Sequence, residues 1–242
     1  QQNIPSGIQG NVVEISAGSG HGLVLLSDGS LVTWGHSGYG LGSIPSGLSD
    51  IVQIEASNTF NLVLKADGTV DGWGWVHQTG GTGGGCDTGY NQVDGECVST
   101  GPSIELDELS DVVQLDAGEF HSHALKADGT MVVWGRGDQL AQYGLSDIPE
   151  GVQGNIIDSQ AGYNYSLALL NDGTVAAWGD NSHGQCDVPE GLSDVVAVNS
   201  RWNHIVALKS DGTVVAWGKN DYGQSNVPND LGDVLVYPMC MQ

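Results

Sequence analysis

HIVALKSDGTVVAWG, residues 204–218, is the stretch of sequence that decides the fold. Two short apolar runs flank Asp211-Gly212, a dipeptide typical of two-residue hairpin turns, whose central residues need positive φ. The second apolar run ends at Trp217-Gly218. The stretch therefore predicts a β-hairpin.

The same pattern occurs five times in the 242-residue chain. In each copy an aspartate of an Asp-Gly pair precedes the tryptophan of a Trp-Gly pair by six residues, and a ring side chain lies seven residues before the aspartate. The aspartates are Asp28, Asp67, Asp128, Asp172 and Asp211; the tryptophans are Trp34, Trp73, Trp134, Trp178 and Trp217; the rings are His21, Phe60, His121, Tyr165 and His204. Repetition at fixed offsets predicts one structural unit used five times.

Each unit also contains an apolar strand before the hairpin, and a proline turn usually precedes that strand, as Pro189 precedes residues 195–198. The tryptophans are 39, 61, 44 and 39 residues apart, so the basic repeat is 39 residues with insertions in the second and third gaps. A repeat near 40 residues with three or four short strands and no helical periodicity predicts a β-propeller. We expect one all-β domain over residues 1–242, with five complete three- to four-stranded repeats.

A further apolar run, Val234-Leu-Val-Tyr237, follows Val227-Pro228 at the end of the sequence. It matches the first strand of a unit and indicates a sixth, partial blade. Three arrangements are compatible with this pattern: a ring that closes with five blades, an incomplete six-bladed ring, or a fragment whose other blades lie elsewhere.

The charge of the chain is strongly negative, with 29 Asp and Glu against 6 Lys and Arg. A net charge of −23 repels phosphate backbones, so nucleic acids and anionic membranes are not expected as direct partners. No apolar run is long enough to span a bilayer. The acidity maintains solubility, or it attracts a basic partner or divalent cations.

Four cysteines suggest where the protein acts. Cys86 and Cys97 bracket a Gly-rich insertion at residues 75–103, which suits a disulfide that closes a small loop. Cys186 and Cys240 are candidates for a second disulfide. An even number of cysteines, in a sequence that begins at Gln1 without methionine, favours an extracellular or periplasmic location. Within the insertion, Asp87, Asp94 and Glu96 are candidate Ca²⁺ ligands, although their spacing differs from an EF-hand; otherwise we expect no cofactor.

Two stretches, ALKSDGTVVAWGKNDYGQSNVP at 207–228 and LALLNDGTVAAWGDNSHGQCDVP at 167–189, carry a family resemblance. They resemble repeats of the regulator-of-chromosome-condensation type, and are similar to bacterial members such as the propeller-type β-lactamase inhibitor protein. The resemblance implies a propeller whose loops bind a protein partner. Nucleotide-exchange members carry an inserted wedge that is not found here, so exchange activity is not expected.

The order of strands predicts which loops share one face. The loops between the first and second strands, and the loops after Trp-Gly, leave each blade at the same end. Exposed aromatic residues and arginines are typical anchors of protein-binding surfaces. The predicted partner-binding residues on this face are Tyr39, Trp75, Phe120, Arg136, Tyr163, Arg201, Trp202 and Tyr222.

The repeated residues themselves are expected to be structural. The five tryptophans of the Trp-Gly pairs predict packing between blades. His121 and His123 lie on one side of a strand and are a weak candidate for a metal site, since no third ligand is near them in the sequence. No nucleophile elbow, phosphate-binding loop or metalloprotease motif is present, so we expect no enzyme activity.

Three functions follow from these patterns. The first is a secreted, non-enzymatic propeller that binds a protein through its aromatic loop face. The second is a structural subunit that self-associates through unpaired terminal strands. The third is a carbohydrate-binding adhesin, with Trp75, Trp202 and Tyr222 as stacking platforms.

Overall fold

The computed structural model describes residues 4–74, 90–93, 96–99, 106, 109–228 and 231, with the backbone alone for 90–93 and 96–99. Several predictions from the sequence fall outside these residues, or on Glu96 and Cys97, of which only the backbone is described. They concern Trp75, both proposed disulfides through Cys86, Cys97 and Cys240, the candidate Ca²⁺ ligands Asp87, Asp94 and Glu96, and the strand at 234–237.

The chain forms the five three-stranded antiparallel sheets that the repeats predict, so the propeller prediction is confirmed. We number these sheets as blades 1–5, and we call the first strand of each blade its inner strand. Blade 1 contains β1 Val12–Ala17, β2 His21–Leu26 and β3 Leu31–Gly35, and blade 2 contains β4 Ile51–Ala56, β5 Phe60–Lys65 and β6 Val70–Gly74. Blade 3 contains β9 Val112–Ala117, β10 His121–Lys126 and β11 Met131–Gly135, and blade 4 contains β12 Ile156–Ala161, β13 Tyr165–Leu170 and β14 Val175–Gly179. Blade 5 contains β15 Val195–Arg201, β16 His204–Lys209 and β17 Val214–Gly218.

The Asp-Gly turns join the second and third strands of every blade. In blade 1, Asp28 Oδ1 accepts hydrogen bonds from the Ser30 backbone N–H at 2.9 Å and from its hydroxyl at 2.6 Å. Gly29 has φ of 82°, a conformation that glycine adopts without steric cost. Asp67, Asp128, Asp172 and Asp211 make the same backbone contact two residues on, which explains the repetition of these acids.

Adjacent blades bury apolar side chains between them in four clusters, one for each of the contacts 1–2, 2–3, 3–4 and 4–5. The tryptophans of blades 2–5 are buried in these clusters. The Trp73 indole N–H donates to the Leu41 carbonyl of blade 1 at 3.0 Å, and Trp217 donates likewise to Gln185 of the preceding repeat. The Trp-Gly pairs of blades 2–5 therefore connect neighbouring blades, as predicted, whereas Trp34 of blade 1 is only half-buried and lies in none of the four clusters.

Polar side chains of the inner strands also join successive blades. The Gln53 carboxamide accepts from the Leu115 N–H at 2.8 Å and donates to the Leu115 carbonyl at 2.7 Å. Glu14 accepts from the Ile54 N–H at 3.0 Å, and Asp116 accepts from the Ala161 N–H. These bonds satisfy backbone groups that face the neighbouring blade.

The first blade differs from the others in what covers its inner strand. Ile15 is 73% exposed, whereas Ile54 at the same position of blade 2 is 1% exposed. Leu115 and Val198 are the buried equivalents in blades 3 and 5. Blades 2–5 each have a preceding blade that covers this position, and in blade 1 the side chain faces solvent.

Two elements depart from the simple repeat. Helix α1, Gly137–Tyr143, follows β11 and fills the longer third gap, where the sequence predicted an insertion without helical periodicity. Strands β7 Tyr90–Val93 and β8 Glu96–Ser99 form a hairpin inside the insertion. Within the described residues no helix has the length and apolarity to cross a bilayer.

Candidate functional site

The two sets of loops predicted to share a face lie together at one end of the blades. The loop after Trp-Gly donates a backbone N–H to the loop between the first and second strands of the same blade. Such bonds join His36 to Gly20, Arg136 to Phe120, Asp180 to Asn164 and Lys219 to Asn203, all at 2.8 Å. This end, which we call the loop face, carries the predicted site residues that the structure describes.

The inner strands surround a cavity of about 510 Å³ that opens on the loop face. Each of the five blades contributes the end of its inner strand and the loop that follows. The lining residues are 15–19, 55–58, 116–119, 160–163 and 199–202. Because the five segments are far apart in the chain, the cavity exists only once the blades have packed.

Four of the predicted binding residues form a continuous line across blades 3–5, which we call the aromatic row. Phe120 meets Tyr163 edge to face, with 5.2 Å between ring centroids, and Tyr163 stacks on Trp202 at 5.6 Å. The Arg136 guanidinium carbon lies 5.7 Å from the centre of the Phe120 ring. Each residue occupies a loop of its own, so the row depends on the packing of successive blades.

Trp202 is the most exposed residue of this row, at 63%. It lies between β15 and β16 with φ of 56°, a left-handed conformation that bulky residues rarely adopt. Its carbonyl accepts a hydrogen bond from the Tyr163 N–H at 3.2 Å. The backbone and the ring of Trp202 are thus both fixed against blade 4, while one face of the indole stays open to solvent.

The cavity beside the aromatic row is lined by three carboxyl groups and one guanidinium. Glu55, Asp116 and Glu119 are the acids, and Arg201 is the base. Burial, assisted by the charge of Asp116, raises the pKa of Glu55 to about 8. Burial raises the pKa of Asp116 to about 7, although the Ala161 and Ala117 N–H groups oppose the change.

Glu119 lies nearer the rim of the cavity. Burial raises its pKa, while a 2.8 Å hydrogen bond from the Asn58 carboxamide and the charge of Arg201 act in the opposite direction. Arg201 therefore balances part of the negative charge at the rim. The charges that act on Glu55 are those of Asp116 and Glu14, and both raise its pKa.

The remaining predicted residues lie elsewhere on the loop face. Tyr39 packs edge to face on His36, with 6.0 Å between ring centroids, in the loop of blade 1. Tyr222 is 91% exposed in the loop after β17. Arg201 lines the cavity next to Trp202. The structure thus brings Phe120, Arg136, Tyr163, Arg201 and Trp202 together, whereas Tyr39 and Tyr222 are separate from that group.

Sequence reasoning missed Glu55 and Asp116 as cavity residues. Both are the fifth residue of a six-residue inner strand, one residue before the strand ends, and this shared position was the available signal. An acid near the end of a short strand is usually solvated, so the pattern alone did not separate these two from surface charges.

The paired histidines have a structural environment. His121 and His123 are buried, and their Nε2 atoms lie 3.3 and 2.9 Å from the Ser166 hydroxyl of the next blade. Burial lowers the pKa of His121 to about 4 and lowers the pKa of His123 well below its usual range. Among the described residues no cluster of three potential metal ligands occurs. Both rings are therefore neutral core residues.

Cys186 is a half-buried thiol. Its Sγ lies 3.3 Å from the Asp180 carbonyl, and burial raises its pKa to about 12, with Asp180 and Asp187 adding to the effect. A thiol with this pKa is a weak nucleophile at neutral pH.

Three segments of the chain, residues 12–41, 156–185 and 195–224, match the family described as Regulator of chromosome condensation (RCC1) repeat. They correspond to blades 1, 4 and 5 with the loops that follow. Blades 1, 4 and 5 are thus similar to RCC1 repeats. The comparison with curated proteins found no match.

Solved structures similar to this chain have the same propeller fold. Prp20p of Saccharomyces cerevisiae, described with its binding properties to Gsp1p and histones, aligns with a TM-score of 0.64 and 20% identity, over 91% of this chain and 60% of Prp20p. The ectodomain of the Physcomitrella patens receptor kinase CR4 aligns with a TM-score of 0.60 and 19% identity, over 86% of this chain and 52% of that chain. This chain thus spans little more than half the length of these structures.

Proposed function

We propose that this chain is a non-enzymatic module that binds a protein partner through the aromatic row on its loop face. The observation that carries the proposal is the exposed indole of Trp202, held flat against Tyr163 beside a 510 Å³ cavity. Tryptophan, tyrosine and arginine are the residues most enriched at binding hot spots. The row presents all three within one continuous surface.

The rigidity of the row favours binding. Phe120 and Tyr163 are only partly exposed, and their rings contact each other across a blade boundary. Aromatic anchors that are ordered before binding lose little conformational entropy when a partner docks. A protein surface suits this row better than a small molecule, because the row extends across three blades. Prp20p, which has a similar fold, has protein partners.

The test is capture of protein partners by wild-type protein, by Trp202→Ala and by a control, Val52→Ala. Val52 is 55% exposed at the start of β4, the end of the blade opposite the loop face. We expect Val52→Ala to retain every partner of the wild type and Trp202→Ala to lose them. Equal capture by all three proteins would show that the aromatic row is not the binding surface.

Self-association is a second candidate function, favoured by the exposed side of β1. Ile15 and Val12 occupy positions that a preceding blade covers in the other repeats. Light scattering at several concentrations tests this candidate, with Ile15→Asp as the variant. A mass that rises with concentration in the wild type and not in Ile15→Asp supports self-association; a constant monomer mass opposes it.

The extracellular or periplasmic location is a proposal that depends on the cysteines. Disulfides persist in oxidising compartments and are rare in the cytosol. Peptide mass mapping before and after reduction, on protein from its native source, tests whether Cys86 is paired with Cys97. Free thiols at all four cysteines would contradict this location.

A further inference from the structure

We propose that the partner presents an arginine side chain that enters the cavity beside the aromatic row, with its guanidinium against the carboxyl groups of Glu55 and Glu119. This inference depends on the proposed function, because it names the chemistry that the loop face recognises.

The surroundings of the cavity favour a guanidinium over other groups. Trp202 and Tyr163 line the cavity with their rings stacked on each other, and the Trp202 indole is 63% exposed, so it is open to a further stacking partner. Arginine stacks on aromatic rings and also donates to carboxylates in a planar fork, so one side chain satisfies both features. A lysine ammonium lacks the planar geometry. An acidic or purely apolar segment leaves the carboxyl groups without a partner.

The balance of charge points to the same chemistry. Three acids and one base line the cavity, and the chain as a whole carries a net charge of −23. The excess of acids over bases favours a cationic ligand over an anionic one, most strongly at a pH high enough to ionise Glu55 and Asp116. The volume of about 510 Å³ lies within the range of roughly 300–1,000 Å³ typical of pockets that hold small organic groups.

The protonation state of the cavity acids predicts that arginine binding depends on pH. Glu55 faces the acids Glu14 and Asp116, and Asp116 in turn faces Asp158, so these groups disfavour one another's ionised forms. The charge of Arg201 acts on Glu119. An incoming guanidinium stabilises the ionised form of Glu55 and releases a proton on binding. Affinity therefore rises with pH as the free cavity ionises, between about pH 6 and 8.

The bonds that these acids already make leave room for a ligand. Glu55 Oε1 accepts from the Gln53 carboxamide at 3.0 Å, and Oε2 lies 3.4 Å from the Ser16 hydroxyl. Glu119 Oε1 accepts from Asn58 at 2.8 Å. A carboxylate with two oxygens accepts up to about four hydrogen bonds, so both groups retain acceptor capacity.

The experiment titrates ¹⁵N-labelled protein with the peptide acetyl-Gly-Gly-Arg-Gly-Gly-amide and with the same peptide carrying citrulline, which has the shape of arginine without its charge. We expect saturable shift changes from the arginine peptide at the cavity loops and at the Trp202 indole. Citrulline should bind about tenfold more weakly, as expected for the loss of a charge-assisted contact. Affinity for the arginine peptide should increase from pH 6 to 8.

Two variants and one control locate the contact. Glu119→Gln, near the rim, and Glu55→Gln, deeper in the cavity, should each weaken binding of the arginine peptide, and Glu55→Gln should also flatten its pH dependence between pH 6 and 8. Glu190→Gln changes an exposed acid in the proline turn before β15, at the other end of the blades, and should bind as wild type. Unchanged indole resonances of the four buried tryptophans show that each variant is folded.

The outcomes separate this inference from the proposed function. Equal affinity for the arginine and citrulline peptides, or unchanged affinity in both glutamine variants, overturns the arginine inference. If partner capture still depends on Trp202 in that case, the proposed binding of a protein partner at the aromatic row is still supported. If capture is independent of Trp202, the proposed function itself is wrong.

Discussion

The indole of Trp202 lies nearly parallel to the phenol ring of Tyr163, with 5.6 Å between ring centroids and 10° between ring planes. The two residues belong to different blades, 39 positions apart in the sequence. Each is at the same place in its repeat, in the loop between the first and second strands. Packing of neighbouring blades therefore converts one loop position into a row of adjacent rings.

The backbone of Trp202 provides a prediction about stability. A non-glycine residue in the left-handed region costs about 1–2 kcal/mol, and Trp202 has φ of 56°. Trp202→Gly should therefore unfold with a free energy about 1 kcal/mol greater than Trp202→Ala, although both lose the indole. Urea denaturation of the two variants checks this. Equal midpoints and slopes would show that the backbone at residue 202 relaxes without cost.

Ile15 and Ile54 occupy the same position in two blades but differ in exposure, so they give a matched pair of variants. Ile54→Ala removes a side chain that is 1% exposed between blades 1 and 2, and should lower the free energy of unfolding by about 2–5 kcal/mol. Ile15→Ala should cost less than about 1 kcal/mol, because that side chain is 73% exposed. A large loss of stability for Ile15→Ala would mean that a contact covers β1 in solution.

The cavity acids predict how stability depends on pH. The pKa of Glu55 is about 8 in the folded chain against an ordinary value of 4.5, so the folded state retains a proton that the unfolded state releases. Its contribution to stability is present at low pH and is lost as pH rises to 8, with a slope of at most about 1.4 kcal/mol per pH unit. Asp116, whose pKa is about 7, acts in the same direction.

The buried histidines change stability in the opposite direction, and they do so in a lower range of pH. The pKa of His121 is about 4 against an ordinary value of 6.5, so the unfolded state binds a proton first and stability decreases as pH falls below 6.5. As pH rises above 6.5 the histidine effect fades, and the effect of Glu55 and Asp116 increasingly dominates. Thermal unfolding between pH 6.5 and 8.5 should show a falling midpoint in the wild type and a flatter profile in Glu55→Gln. Identical profiles would contradict the raised pKa of Glu55.

The rings of the row should also be energetically coupled. Phe120 and Trp202 both contact the Tyr163 ring, and the variants Phe120→Leu and Trp202→Ala each remove one of these ring contacts. In partner binding, the double variant should lose less affinity than the sum of the single variants, because disturbing either neighbour already disturbs Tyr163. A double-mutant cycle measures this coupling. Strict additivity would mean that the three rings bind independently.

The sequence was sufficient to predict the fold because five copies of one pattern constrain each other. Asp-Gly turns, strand alternation and the Trp-Gly pairs agree in every copy, and the structure forms a hairpin at each Asp-Gly pair. The predicted positive φ at both turn residues is wrong, because only the glycine of each pair has it. Helix α1 was not predicted, since its seven residues, GDQLAQY, are too few to show a helical period and include a glycine at the start.

The candidate site was predictable only in part. The rings at Phe120, Tyr163 and Trp202 could be assigned to one face, because their place in the repeat is visible in the sequence. The cavity could not be found, since its five lining segments come from different repeats and meet only after packing. Likewise, Ile15 and Ile54 have the same local sequence pattern, and only the presence or absence of a preceding blade separates their environments.

The central claim, that a protein partner docks on the aromatic row, is tested most directly by site-specific photocrosslinking. A photoreactive p-benzoylphenylalanine is placed at residue 202, or at residue 52 as the control on the opposite end of the blades, and the protein is irradiated with its native partners present. The account predicts a crosslinked partner from residue 202 and none from residue 52. Crosslinking from residue 52 and not from residue 202 would contradict it.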